Sequence, residues 1–184
     1  MSTPDSWVAF EDALARAVSD LDEDEFLVIE RKNTNYFVQF AAQGSSGLRV
    51  EASANAYQPR HARIPESAIL QLIHIGWKPP TYVQTHEHSE PVDGSPNFYL
   101  DVADPVPFAD ISALAVETLR GSFGARHPAE LQYEAYSDRL TSIRFPHLGI
   151  KRRMSVLRSA VASSLQEPDD TQLQLIVPAK TTVC

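Results

Sequence analysis

The chain has 184 residues, 43% of them hydrophobic and 22% charged, the size and composition of one globular domain rather than of a disordered segment. Its 16 Lys and Arg stand against 24 Asp and Glu, and the net charge of −8 argues against a phosphate backbone as partner. No apolar run approaches the roughly 20 residues of a membrane helix, the opening residues lack the pattern of a signal peptide, and the one cysteine, Cys184, fits a reducing compartment. The charge is uneven: residues 1–60 sum to −5, residues 61–136 to −6 and residues 137–184 to +3. That sign change marks a compositional boundary near residue 137.

Ser6 is a natural N-cap for a helix from Trp7 to about Leu21, whose Phe10, Leu14, Ala17 and Val18 keep helical spacing. Three strand patterns follow, Phe26–Arg31, Tyr36–Ala42 and Leu48–Ala54, joined by Asn33-Thr34-Asn35 and Gly44-Ser45-Ser46-Gly47. Connections this short predict an antiparallel meander, whose open edges would accept an added strand. Pro65 opens a second helix with Ile69, Leu72 and Ile73 facing inward, Gly76 ends it, and Trp77 packs just beyond. Six prolines between Pro79 and Pro107 mark a loop-rich stretch holding a short strand at Tyr82–His86 and a better one at Asn97–Val102. A third helix, about Phe108 to Phe123, and an alternating strand, Glu130–Tyr136, come next. Beyond them Ile150, Met154, Leu157, Val161 and Leu165 keep helical spacing on a basic segment, and Leu173–Val177 has the pattern of a last strand.

Little in the chain points to catalysis. His86-Glu87-His88 offers two imidazoles on one face of a strand, but no third or fourth ligand stands in recognised metal spacing; a hydrated loop is the plainer reading. There is no nucleophile elbow, and Cys184 has no histidine held near it. The two Gly-x-x-Gly segments lie in a strand–strand turn and after a helix, not in the strand-to-helix setting of a phosphate cradle. The basic segment 150–165 can meet an anionic partner or the acidic remainder of its own chain, and the latter is preferred. The residues alone lead to a soluble, cytoplasmic α+β domain without cofactor, metal or membrane insertion.

Several stretches sharpen this. Trp7 and Phe10 open an acidic helix; Phe26-Leu27-Val28-Ile29, Tyr36-Phe37-Val38-Gln39-Phe40 and Leu48-Arg49-Val50-Glu51-Ala52 follow, then Leu72-Ile73-His74-Ile75-Gly76-Trp77, Asn97-Phe98-Tyr99 and Pro128-Ala129-Glu130-Leu131. Together, from Ser6 to Tyr136, they resemble the TY-Chap N-terminal domain of actinobacterial proteins, grouped with the YbjN and type III secretion chaperone-like domains. The resemblance implies an α+β fold with an antiparallel sheet packed against helices, in the order α-βββ-α-ββ-α. It also implies a non-enzymatic module that holds a client polypeptide, a secreted or toxin-type protein among the candidates, often as a homodimer. Residues 1–136 would be that domain, and residues 137–184 an unassigned C-terminal extension. Two rival readings are a small metal-dependent enzyme using His86 and His88, and an adaptor or immunity-type interaction protein.

For a client surface, the aromatic residues of and around the meander are the candidates: Phe37, Tyr36, Tyr57 and Trp77. Strand alternation separates Tyr36, Val38 and Phe40 from Phe37, Gln39 and Ala41. The bulkier first set is expected in the core, which makes Phe37 the exposed aromatic; Trp77 is likewise expected to be largely buried.

Overall fold

A computed structural model describes residues 4–56, 58–81 and 94–153 of the chain. Tyr57, the expected strand Tyr82–His86, the His86/His88 pair, the basic segment from Met154 onward, Leu173–Val177 and Cys184 lie outside the described residues.

Helix α1 (Trp7–Ser19) starts where Ser6 caps it, the serine side chain accepting from the Ala9 amide at 3.2 Å. It stops before the acidic run, whose charges oppose the negative end of a helix. Strands β1 (Glu25–Arg31), β2 (Phe37–Ala42) and β3 (Leu48–Ala52) form the expected antiparallel meander. Helix α2 (Glu66–His74), strand β4 (Phe98–Val102), helix α3 (Phe108–Glu117), strand β5 (Leu131–Ser137) and the short β6 (Lys151–Arg152) complete the order. The sheet runs β4-β3-β2-β1-β5-β6, antiparallel except where β6 joins β5.

One face of this sheet carries the core. Leu27 and Ile29 of β1, Val38 and Phe40 of β2, Leu48 and Val50 of β3 and Leu131 of β5 point to it and are buried with Phe10 and Leu14 of α1. The inward residues of α2 differ from expectation. Ala68 and Leu72 are buried, whereas Ile73 is 45% exposed, because a nine-residue helix can turn only one narrow arc to the sheet.

Trp77 enters the core through the end of α2. Gly76, at φ +114°, lets the chain reverse; its N–H donates to Ile73 and the Trp77 N–H to Leu72 at 3.1 Å, the two bonds that close a helix in a Schellman motif. The indole is 2% exposed, and its Nε1 donates to the Thr118 hydroxyl at 2.9 Å. Thr118 opens a π turn, Thr118–Ser122, that continues α3, and its own hydroxyl donates to the Leu114 carbonyl at 2.8 Å. The sequence pattern reads this stretch as plain helix; the widened turn is where α3 meets Trp77 and the side chain of Gln71 of α2, which approaches Gly121.

The structure corrects the expectation that the meander leaves open edges. β5 pairs with β1 along its whole length and β4 pairs with β3, so both meander edges are taken. Toward the outside of the larger sheet, further backbone bonds are made at a few positions. Lys78 exchanges both backbone bonds with Tyr99 of β4, and on β5 the amides of Ile143 and Arg153 donate to Ala135 and Tyr133. Strand patterns show which segments pair but not with whom, and β5 lies about a hundred positions from its partner. Residues 138–153, which bury Phe145 and Leu148, belong to the same compact unit as the preceding chain, and that unit ends at Arg153. The packed body therefore runs past the compositional boundary near residue 137.

Two substitutions test this packing. Trp77→Ala should cost about 3–5 kcal/mol of stability, measured by urea denaturation, since it empties a core site and strands the Thr118 partner. Gly47→Ala should cost at least about 2 kcal/mol. Gly47 sits at φ +96° in the β2–β3 turn, and a Cβ there would overlap the Val102 carbonyl and approach Ala103 Cα to 3.0 Å.

Candidate functional site

The opposite face of the sheet is left uncovered by the three helices. Period-two alternation places there the residues between the core positions, and the strand register sets them in rows. Across β5, β1, β2, β3 and β4 one row reads Tyr136, Phe26, Ala41, Arg49, Asp101, and the next reads Glu134, Val28, Gln39, Glu51, Tyr99. A third holds Gln132, Glu30 and Phe37. All but the exposed Asp101 are half-buried.

The two halves of this face differ in chemistry. Over β3 and β4 it is polar and internally satisfied. Arg49 bonds Glu51 at 3.0 Å and Asp101 at 2.8 Å, and its guanidinium lies 4.9 Å from the centre of the Tyr99 ring. Ser95 Oγ donates to the same Glu51 oxygen as Arg49, and Asn97 Nδ2 donates to the other. Burial alone would weaken the hold of Arg49 on its proton; its bond to Glu51 and the attraction of Glu51 and Asp101 outweigh that and raise its pKa. Over β5, β1 and β2 lie the face's apolar and aromatic residues, interleaved with polar ones: Phe26 stacks on Tyr136 at 5.3 Å and 19°, next to Ala41 in its row and Val28 along β1, with Phe37 diagonal to Val28, while Glu134, Gln39, Gln132 and Glu30 take the remaining positions. Burial, and then the neighbouring Glu134 carboxylate, push the Tyr136 phenol up, so it stays neutral at any ordinary pH.

Of the residues singled out from the sequence, Phe37 lies on this face. Tyr36 turns the other way; its ring packs 5.2 Å from Phe123, and its hydroxyl donates to the Arg63 carbonyl at 3.4 Å. Trp77 is in the core, as its position after α2 led us to expect, and a side chain so enclosed offers a partner no area. Tyr57 lies outside the described residues. Sequence reasoning missed Phe26, Val28 and Tyr136. In Phe26-Leu27-Val28-Ile29 both sets of alternating positions are apolar, so alternation carries no contrast between inside and outside. For Tyr136 the signal was present, in the alternation of Leu131, Tyr133 and Ala135 against Gln132, Glu134 and Tyr136, but nothing local says that it stacks on β1.

Among the described residues no group of three or more His, Cys, Asp or Glu is placed to hold a metal ion, and no helix is long and apolar enough to cross a membrane. What the face can do is bind. Its apolar residues stand on paired strands, and the charges over β3 and β4 beside them are engaged with one another.

Comparison with known proteins agrees in kind. No curated protein and no solved structure matches the chain. The family described as T3SS (YopN, CesT) and YbjN peptide-binding chaperone 3 matches residues 1–137, which span α1 to the end of β5 and so every strand of the uncovered face but β6. The chain belongs to this family, TY-Chap3, of chaperone-type peptide-binding modules.

Proposed function

We propose that the protein holds a client polypeptide against the uncovered sheet face, with Phe37, Val28, Phe26 and Tyr136 as the contact area. The observation that carries this reading is the asymmetry of the sheet: among the described residues the helices cover one face, both edges of the meander are paired, and Tyr136, Phe26, Val28 and Phe37 stand in neighbouring positions on the other face. Family membership supports a peptide as the occupant. Strand addition at an edge would need free backbone groups, whereas face binding needs side-chain area, which the aromatic residues supply at little entropic cost. By the resemblance to secretion chaperones, we place this holding role in the cytoplasm, without catalysis, with a secreted or toxin-type protein as the client class and a homodimer as the working form.

Phe37→Ala tests the surface directly. Phe37 is only half-buried, so its truncation should cost about 1 kcal/mol or less of stability. Binding of a permanently unfolded, net-basic probe, reduced and carboxamidomethylated lysozyme, should weaken by roughly tenfold or more, as for an aromatic residue at the centre of an interface. Unchanged probe binding would remove this face from consideration. Light scattering on the same samples checks the homodimer.

A further inference from the structure

The uncovered face carries four carboxylates, and their pairing is unequal. Glu30 accepts from Arg153 at 2.7 Å and from Gln132 at 2.8 Å, and Arg49 serves both Glu51 and Asp101. Glu134 has no hydrogen bond and no ion pair among the described residues; Arg153, beside it in the parallel register of β5 and β6, gives its guanidinium to Glu30 instead. It stands opposite Val28 in the register, one pleat from the Phe26–Tyr136 stack, and is half-buried before anything binds.

We infer that the face selects client segments carrying a Lys or Arg that pairs with Glu134 while neighbouring apolar side chains cover Val28 and Phe37. This inference rests on the holding role proposed above and adds the chemistry of what is held. A client lying over the apolar half takes water away from Glu134. An ionised carboxylate buried without a partner is strongly disfavoured, so a neutral or acidic segment is penalised there and a basic one is not. The net charge of −8 acts in the same direction, drawing cationic segments toward the protein. Geometry sets the spacing. Glu134 and Phe37 are separated by two strand intervals across the sheet and two residues along it, roughly 12 Å. The cation and the apolar anchor of the client therefore lie about eight residues apart in a helix, or three to four apart in an extended segment.

The test uses the full chain and three labelled 12-residue peptides with identical apolar positions, bearing Lys, Gln or Glu at the same remaining positions, read by fluorescence anisotropy. The expected order of affinity is Lys, then Gln, then Glu, with the Lys peptide about tenfold tighter than the Gln peptide at low salt and the gap narrowing as salt screens it. Glu134→Gln should bring the Lys-to-Gln ratio close to one, and Glu134→Lys should invert the order. Asp12→Asn, the same change in net charge on the exposed side of α1, should leave the ratio as in the unmodified chain. Equal affinities for the three peptides, or a ratio that survives both Glu134 substitutions, would overturn the inference while leaving the holding role intact. If no peptide binds, or if all three bind Phe37→Ala as tightly as the unmodified chain, the holding role fails and the inference fails with it.

Discussion

A sheet that has helices on one side only must turn half of its side chains toward water, and every strand here is subject to that constraint. β1 is at its centre, bonded to β2 on one side and β5 on the other, so its side chains have four neighbours on each face. Leu27 and Ile29 are fully buried among the helices; Phe26 and Val28, equally apolar, have only the flanking strands for shelter. A central strand whose residues Phe26 to Ile29 are all apolar leaves unsatisfied hydrophobic area on the open side of a half-covered sheet. Monomeric proteins seldom keep a contiguous patch of that kind without a partner for it.

The helical side is tied together at Trp77. The Schellman ending of α2 aims the indole inward, and the Thr118 hydroxyl takes its one polar hydrogen, so a large side chain is buried with no unmet donor. Thr118 reaches it from the first position of the π turn, its hydroxyl also donating to the Leu114 carbonyl one turn back. Gly121 lets Gln71 come close at the same junction. Rigid covering of one face is what allows the other to remain open without the sheet collapsing on itself.

The pairing of both meander edges matters as much as the open face. A strand edge with free backbone groups invites pairing with any extended chain, including a second copy of the protein. Here the chain after β5 folds back on that edge, and Lys78 seals β4 at Tyr99. In the holding role proposed above, recognition rests less on backbone hydrogen bonds, which any sequence can make, than on side chains, which differ between partners. On the proposed surface the contact area would come from Phe26, Val28, Phe37 and Tyr136, beside the salt-bridged network around Arg49.

Local pattern was enough to locate α1 with its Ser6 cap, the three strands of the meander, the strand at Asn97–Val102 and the helix from Phe108, because each shows its period or its capping chemistry within a dozen residues. It was also enough to set Val38 and Phe40 apart from Phe37, since alternation holds whatever the strand pairs with. It did not reveal that β5 lies beside β1, that the meander edges are closed, or that the helix after Glu117 widens to meet Trp77. Those features depend on contacts between segments from about forty to more than a hundred positions apart, where no short-range periodicity reports the partner. The uncovered face shows the same division. Which residues share it follows from a period of two, but that this side is the one without helices was decided only when α1, α2 and α3 all packed on Leu27 and Ile29's side of the sheet, where the buried apolar area was greater.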